Sequence, residues 1–97
     1  MIRNVVMGRL RSPGDLAAEQ QCDDGLRGIA GLRLPGQLAM SVGRDVGFRE
    51  GGWSFAIVND WADAAAYRNY DVDEVHGSYR RLLGEVCVEI ARVQYEI

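Results

Sequence analysis

The stretch Trp61–Leu83, WADAAAYRNYDVDEVHGSYRRLL, decides how this chain is read. It carries the only histidine, His76, and three of the four tyrosines. At about 100° per residue, Val75, Tyr79, Leu82, Leu83 and Val86 fall on one side of a helix. His76 lands at the edge of that stripe, on the side of Leu83, so its imidazole looks along the margin between helix and core. Tyr70 stands six residues earlier, beyond the acidic break Asp71-Val72-Asp73-Glu74. A tyrosine and a histidine at the two ends of a helix break can converge on one cavity. No other constellation in the chain carries acid/base chemistry.

Outward from this stretch, the alternation of side chains supplies the rest. Ile2–Arg9 reads as a strand with Ile2, Asn4, Val6 and Gly8 on one face and Arg3, Val5, Met7 and Arg9 on the other. Both faces are apolar at the centre, which predicts that both are covered. Ser12-Pro13-Gly14-Asp15 stops the strand and offers capping oxygens to a helix over Leu16–Ile29, weakened by Gly25 and Gly28. A second strand follows the turn Leu34-Pro35-Gly36, with Leu38, Met40 and Val42 alternating against Gln37, Ala39, Ser41 and Gly43. The segment Gly43–Gly52 is a polar, glycine-rich loop between antiparallel strands. In the third strand, Trp53–Trp61, the residues Trp53, Phe55, Ile57, Asn59 and Trp61 share a face, and Asp60 is positioned to cap the broken helix. The last strand spans about Val88 to Ile97.

The order β-α-β-β-α-β in one domain over residues 1–97 predicts an α+β, ferredoxin-like fold: a four-stranded antiparallel sheet with both helices on one face. Two helices cover one face only. An apolar second face left wet is too large a patch for a stable monomer, so the expected partner is a second copy of the chain, stacked face to face as a two-fold dimer.

Composition excludes several classes. The net charge is −3, and all eleven basic residues are arginine, scattered among fourteen acidic ones without a basic stripe. A nucleic-acid partner is not expected. No apolar run approaches the roughly 18 residues of a membrane span, and the N-terminus has no basic leader with an apolar stretch behind it; a cytoplasmic protein with no membrane partner is expected. Arginine without lysine, with abundant Ala, Gly and Asp, matches a GC-rich bacterial genome. Cys22 and Cys87 belong to no CxxC pair and read as reduced, small apolar residues. With one histidine and no thiolate pair, neither a metal nor any other cofactor is expected.

Four segments carry a family resemblance across essentially the whole chain: Met1-Ile2-Arg3-Asn4-Val5-Val6-Met7, Trp53-Ser54-Phe55-Ala56-Ile57-Val58-Asn59-Asp60-Trp61, Tyr70-Asp71-Val72-Asp73-Glu74-Val75-His76 and Arg92-Val93-Gln94-Tyr95-Glu96-Ile97. In order and spacing the chain resembles the Dabb family, the stress-responsive dimeric α/β-barrel domains. The third segment is similar to that family's Tyr-x-x-His-Pro-x-His motif. The resemblance implies a homodimer closing into an α/β barrel, with Tyr70 and His76 where a polyketide cyclase of the family uses a tyrosine and a histidine. It also places Asn4 and Phe55 where that cyclase has two further pocket histidines. The chain departs from the motif at Asp73-Glu74, which stand in place of its inner His-Pro.

Each site residue also has a plain structural reading. His76 could hydrogen-bond to backbone at the helix break, and Tyr70 could cover the core edge. Trp53, Phe55 and Trp61 could be core and not a ligand box. Three functions therefore stand: a small homodimeric Dabb-like protein taking a small apolar ligand between sheet and helices, in a pocket with Asn4, Phe55 and Trp53; a cofactor-free enzyme of the polyketide cyclase or monooxygenase kind, with His76 as base and Tyr70 as oxyanion donor; or a purely structural role in a larger assembly. Whether the chain is an enzyme is left open.

Overall fold

Strand alternation and one helix break set the architecture. The computed structural model describes Met1–Ile97 as β1 (Ile2–Leu10), α1 (Leu16–Ala30), β2 (Gln37–Arg44), β3 (Phe55–Trp61), α2 (Ala64–Val72), α3 (Glu74–Val86) and β4 (Cys87–Glu96). The strands form one antiparallel sheet in the order β2-β3-β1-β4. This is the ferredoxin-like arrangement, with the second helix split into α2 and α3. No helix is long and apolar enough to cross a membrane.

Register places Asn4 opposite both Asn59 and Gln94, and Val6 opposite both Ile57 and Arg92. The even positions of β1 thus share the helix-covered face with Phe55, Ile57, Asn59 and Trp61 of β3, all of them buried. The core on that face gathers Leu10, Cys22, Leu26, Ile29, Phe55, Ile57, Leu83 and Cys87. Both cysteines are free thiols within it, and burial pushes the Cys22 thiol up to about 11.

Gly25 and Gly28, which weaken α1 as an isolated helix, are the points where α3 packs against it. A Cβ on Gly28 would meet the Tyr79 ring at 2.3 Å, and one on Gly25 would meet Leu83 Cγ at 2.9 Å. Gly8 does the same for the sheet: a Cβ there would lie 2.2 Å from the Phe55 ring. Helix propensity is spent locally to let two large side chains nest.

Three local expectations are corrected. Asp60 is not a helix cap; it stays in β3, where Arg3 Nε donates to it at 2.8 Å across the β1–β3 pair, and Asp63 caps α2 through Ala66 N. Val75 is 53% exposed and falls outside the inward stripe of α3, which runs through His76 and Leu83 with Tyr79 and Val86 packed against the core. Trp53 precedes β3, which opens at Phe55, and turns to the other side of the sheet, where the Arg9 guanidinium lies 4.3 Å over its ring.

Candidate functional site

The break between α2 and α3 builds the site. Asp73 ends α2 in extended backbone and begins α3, its carboxylate accepting from His76 N at 2.8 Å. Ending α2 there leaves the Tyr70 carbonyl, in the last turn, available to side chains as well as to Asp73 N. His76 uses it: Nδ1 lies 2.8 Å from Tyr70 O.

A carbonyl only accepts, so Nδ1 carries the proton, and in the neutral ring the lone pair resides on Nε2. No protein group bonds to Nε2. Burial holds the His76 pKa below its ordinary 6.5, and Arg80 pushes it the same way, against the Tyr70 carbonyl, Asp71 and Asp73. The imidazole is therefore neutral at pH 7, with a free base nitrogen.

Tyr70 lies between two rings. Trp61 stacks on it at 4.6 Å between centroids, and His76 at 3.9 Å. Its hydroxyl accepts from Asn59 Nδ2 at 3.2 Å. The orientation of the Asn59 amide follows from Trp61, whose indole Nε1 can only donate and does so to Asn59 Oδ1 at 2.7 Å. Asn4 Nδ2 donates to the same oxygen at 3.1 Å, and Gln94 Nε2 donates to Asn4 Oδ1 at 2.9 Å. A directed chain of amides thus runs from β4 at the sheet edge to the Tyr70 oxygen. The tyrosine proton has no acceptor in the protein. Burial keeps the Tyr70 pKa above its ordinary value, so the phenol stays protonated.

Asn4, Phe55, Tyr70 and His76 line one cavity of about 40 Å³ between sheet and helices, together with Val6, Ile29, Ile57, Leu83 and Ile90. Tyr67, Asp71, Arg80 and Arg92 complete the lining. Arg80 Nη1 donates to Asp71 Oδ1 at 2.9 Å and Nη2 to the Asp71 carbonyl at 3.1 Å, tying α3 to the end of α2. Trp53 is absent from this cavity; with Met7 and Val58 it borders a shallow hollow on the open side of the sheet. The acidic residues are not a uniformly solvated cluster: Asp73 caps, Asp71 pairs with Arg80, and Glu74 is left exposed.

Reasoning from sequence missed Asn59, Gln94, Arg80 and Arg92. Asn59 had a usable signal: it is the one polar residue in the apolar face Phe55, Ile57, Trp61. Gln94 and Arg92 become visible only once β1 and β4 are in register.

No family model matches the chain, and no curated protein does. Its likeness is to solved structures. A dimeric ferredoxin-like protein of unknown function from Thermobifida fusca has a TM-score of 0.84 at 21% identity, over 99% of this chain and 90% of that one. The fold is shared. A Dabb family protein with a ferredoxin-like fold from Mesorhizobium loti has a TM-score of 0.76 at 19% identity, over 99% and 95% of the two chains. SnoaB, a cofactor-independent oxygenase from Streptomyces nogalater, has a TM-score of 0.71 at 14% identity, over 99% and 91%. At these identities the likeness establishes the ferredoxin-like architecture, and any activity has to be argued from the site.

Proposed function

We propose that this is a Dabb-type protein that works as a homodimer and binds a small molecule in the cavity between its sheet and helices. One observation carries the ligand reading: a buried imidazole with a free Nε2 and a buried phenol with an uncommitted proton line the same cavity. Buried polar groups are ordinarily satisfied within the protein, and two with spare hydrogen-bonding capacity on residues lining one space suit a guest that brings a polar group. The dimer is supported by the apolar open face of Val5, Met7, Ala56, Val58 and Val93, and by neighbours such as the Thermobifida fusca protein, which is itself dimeric.

A second reading is favoured by the protonation states. A neutral His76 can take a proton at Nε2, and the Tyr70 hydroxyl, already accepting from Asn59, can donate to a developing oxyanion. That pair suits cofactor-free chemistry, and the fold hosts such an enzyme in SnoaB.

Sedimentation equilibrium at micromolar concentration tests the dimer. The expected species has twice the 10.7 kDa chain mass, and a stable monomer overturns it. For the cavity, His76 being the sole histidine gives a single set of imidazole resonances. Those should move when a small amphiphile binds, and should stay still if the cavity is closed core.

A further inference from the structure

The rim of the cavity is charged where its interior is apolar. Seven of the eleven arginines are committed: Arg3, Arg9, Arg27, Arg44 and Arg80 to carboxylates, Arg11 and Arg33 to backbone carbonyls. Of the remaining four, Arg92 alone lines the cavity. It stands on the helix-covered face of β4, opposite Val6, with neither an ion pair nor a hydrogen bond. Across the mouth, the positive charge of Arg80 is balanced by Asp71. The rim therefore carries one uncompensated positive charge. Arg80 and Arg92 line the same cavity together with Tyr67 and Asp71.

Size narrows the guest further. At about 10–15 Å³ per water, 40 Å³ holds about three heavy atoms, far below the roughly 300–1,000 Å³ of drug-sized sites. We infer that the cavity takes a small organic anion, its short apolar body inside against Phe55 and Leu83 and its carboxylate-like head held at the rim by Arg92. This rests on the reading of the cavity as a binding site and adds the chemical class of the guest. Arg92 is the residue that selects for charge, while Phe55 and Leu83 meet the body.

Butyrate and butyramide, equal in shape and different in charge, separate the two levels. At pH 7.5 and low salt, both are titrated into the native dimer while the His76 ring resonances are followed. Butyrate is expected to bind roughly threefold or more tightly than the amide, the scale of a solvent-exposed ion pair, with the preference shrinking as salt is added. Arg92→Gln, at an exposed position, should remove the preference and leave the amide unchanged, whereas Arg49→Gln in the β2–β3 loop should keep it. Equal affinities in the native protein, or a preference surviving Arg92→Gln, overturn the charge selection and leave the cavity reading standing. If neither compound moves the His76 signals, the cavity reading fails and this inference fails with it.

Discussion

Each face of the sheet carries residues of the polarity expected of the other. The face under the helices carries Asn4 and Asn59, 2% and 0% exposed, in the middle of a hydrophobic core. The open face carries Val5, Met7, Ala56, Val58 and Ala91, with Val93 53% exposed. A lone domain built only for stability would place these the other way round. The covered amides form a complete hydrogen-bonded chain ending on Tyr70, which is the form in which buried polar groups are tolerated. The uncovered aliphatics are a surface that water leaves unsatisfied. On the proposed reading, one face is arranged for a guest and the other for a second copy.

The largest effect should come from spoiling the open face. Met7→Glu places a carboxylate twice in a two-fold interface, and an unpaired buried charge costs about 3 kcal/mol or more, weakening association over a hundredfold. Sedimentation or size exclusion at fixed micromolar concentration checks this, with Arg49→Glu in the exposed loop as the control. Equal effects at both positions would place the interface elsewhere.

Next is the covered face. Asn59→Ala strips partners from Trp61 Nε1, Asn4 Nδ2 and the Tyr70 hydroxyl at once and should cost about 2–4 kcal/mol in urea denaturation at constant protein concentration. A loss below about 1 kcal/mol would mean that water replaces the amide, and that the covered face is wetter than its burial implies.

The smallest effect is one of pH. The folded-state pKa of His76 lies below 6.5, so the unfolded chain binds its proton first as pH falls, and stability drops with acidification through that range. Glu19 and Asp60, also held below their ordinary values, by Arg44 and Arg3 respectively, act in the same direction but only below about 4.5. Between pH 7 and 5 the loss of stability on acidification should therefore be smaller in His76→Gln than in the native protein. An unchanged slope would mean that the imidazole is not desolvated.

Much of this was legible in the chain. Alternation in Ile2–Arg9 and in Phe55–Trp61 assigned both faces, and the acidic break located the joint between α2 and α3. The meeting of Asn4, Phe55, Tyr70 and His76 around one space followed from those directions together with the family resemblance. What escaped depended on three-dimensional register. Asn59 reaches Asn4 because β1 and β3 pair at those positions, and Arg92 reaches the rim because β4 pairs with β1. Trp53 was misplaced because a strand's period ends where its ladder ends: β2–β3 pairing stops at Arg44 and Phe55, and two residues earlier the chain has already turned. Val75 departs from its stripe because it sits in the first turn of α3, just after the Asp73 cap.

The break at Asp73 makes the distance between the two rings a matter of linker length. In an unbroken helix, residues six apart sit about 120° from one another around the axis, and Tyr70 and His76 could not lie face to face. Deleting or inserting a single residue between Asp71 and Asp73 would alter the turn that joins α2 to α3 and part the two rings. The stacking of Tyr70 on His76 thus depends on the length of the chain at the break.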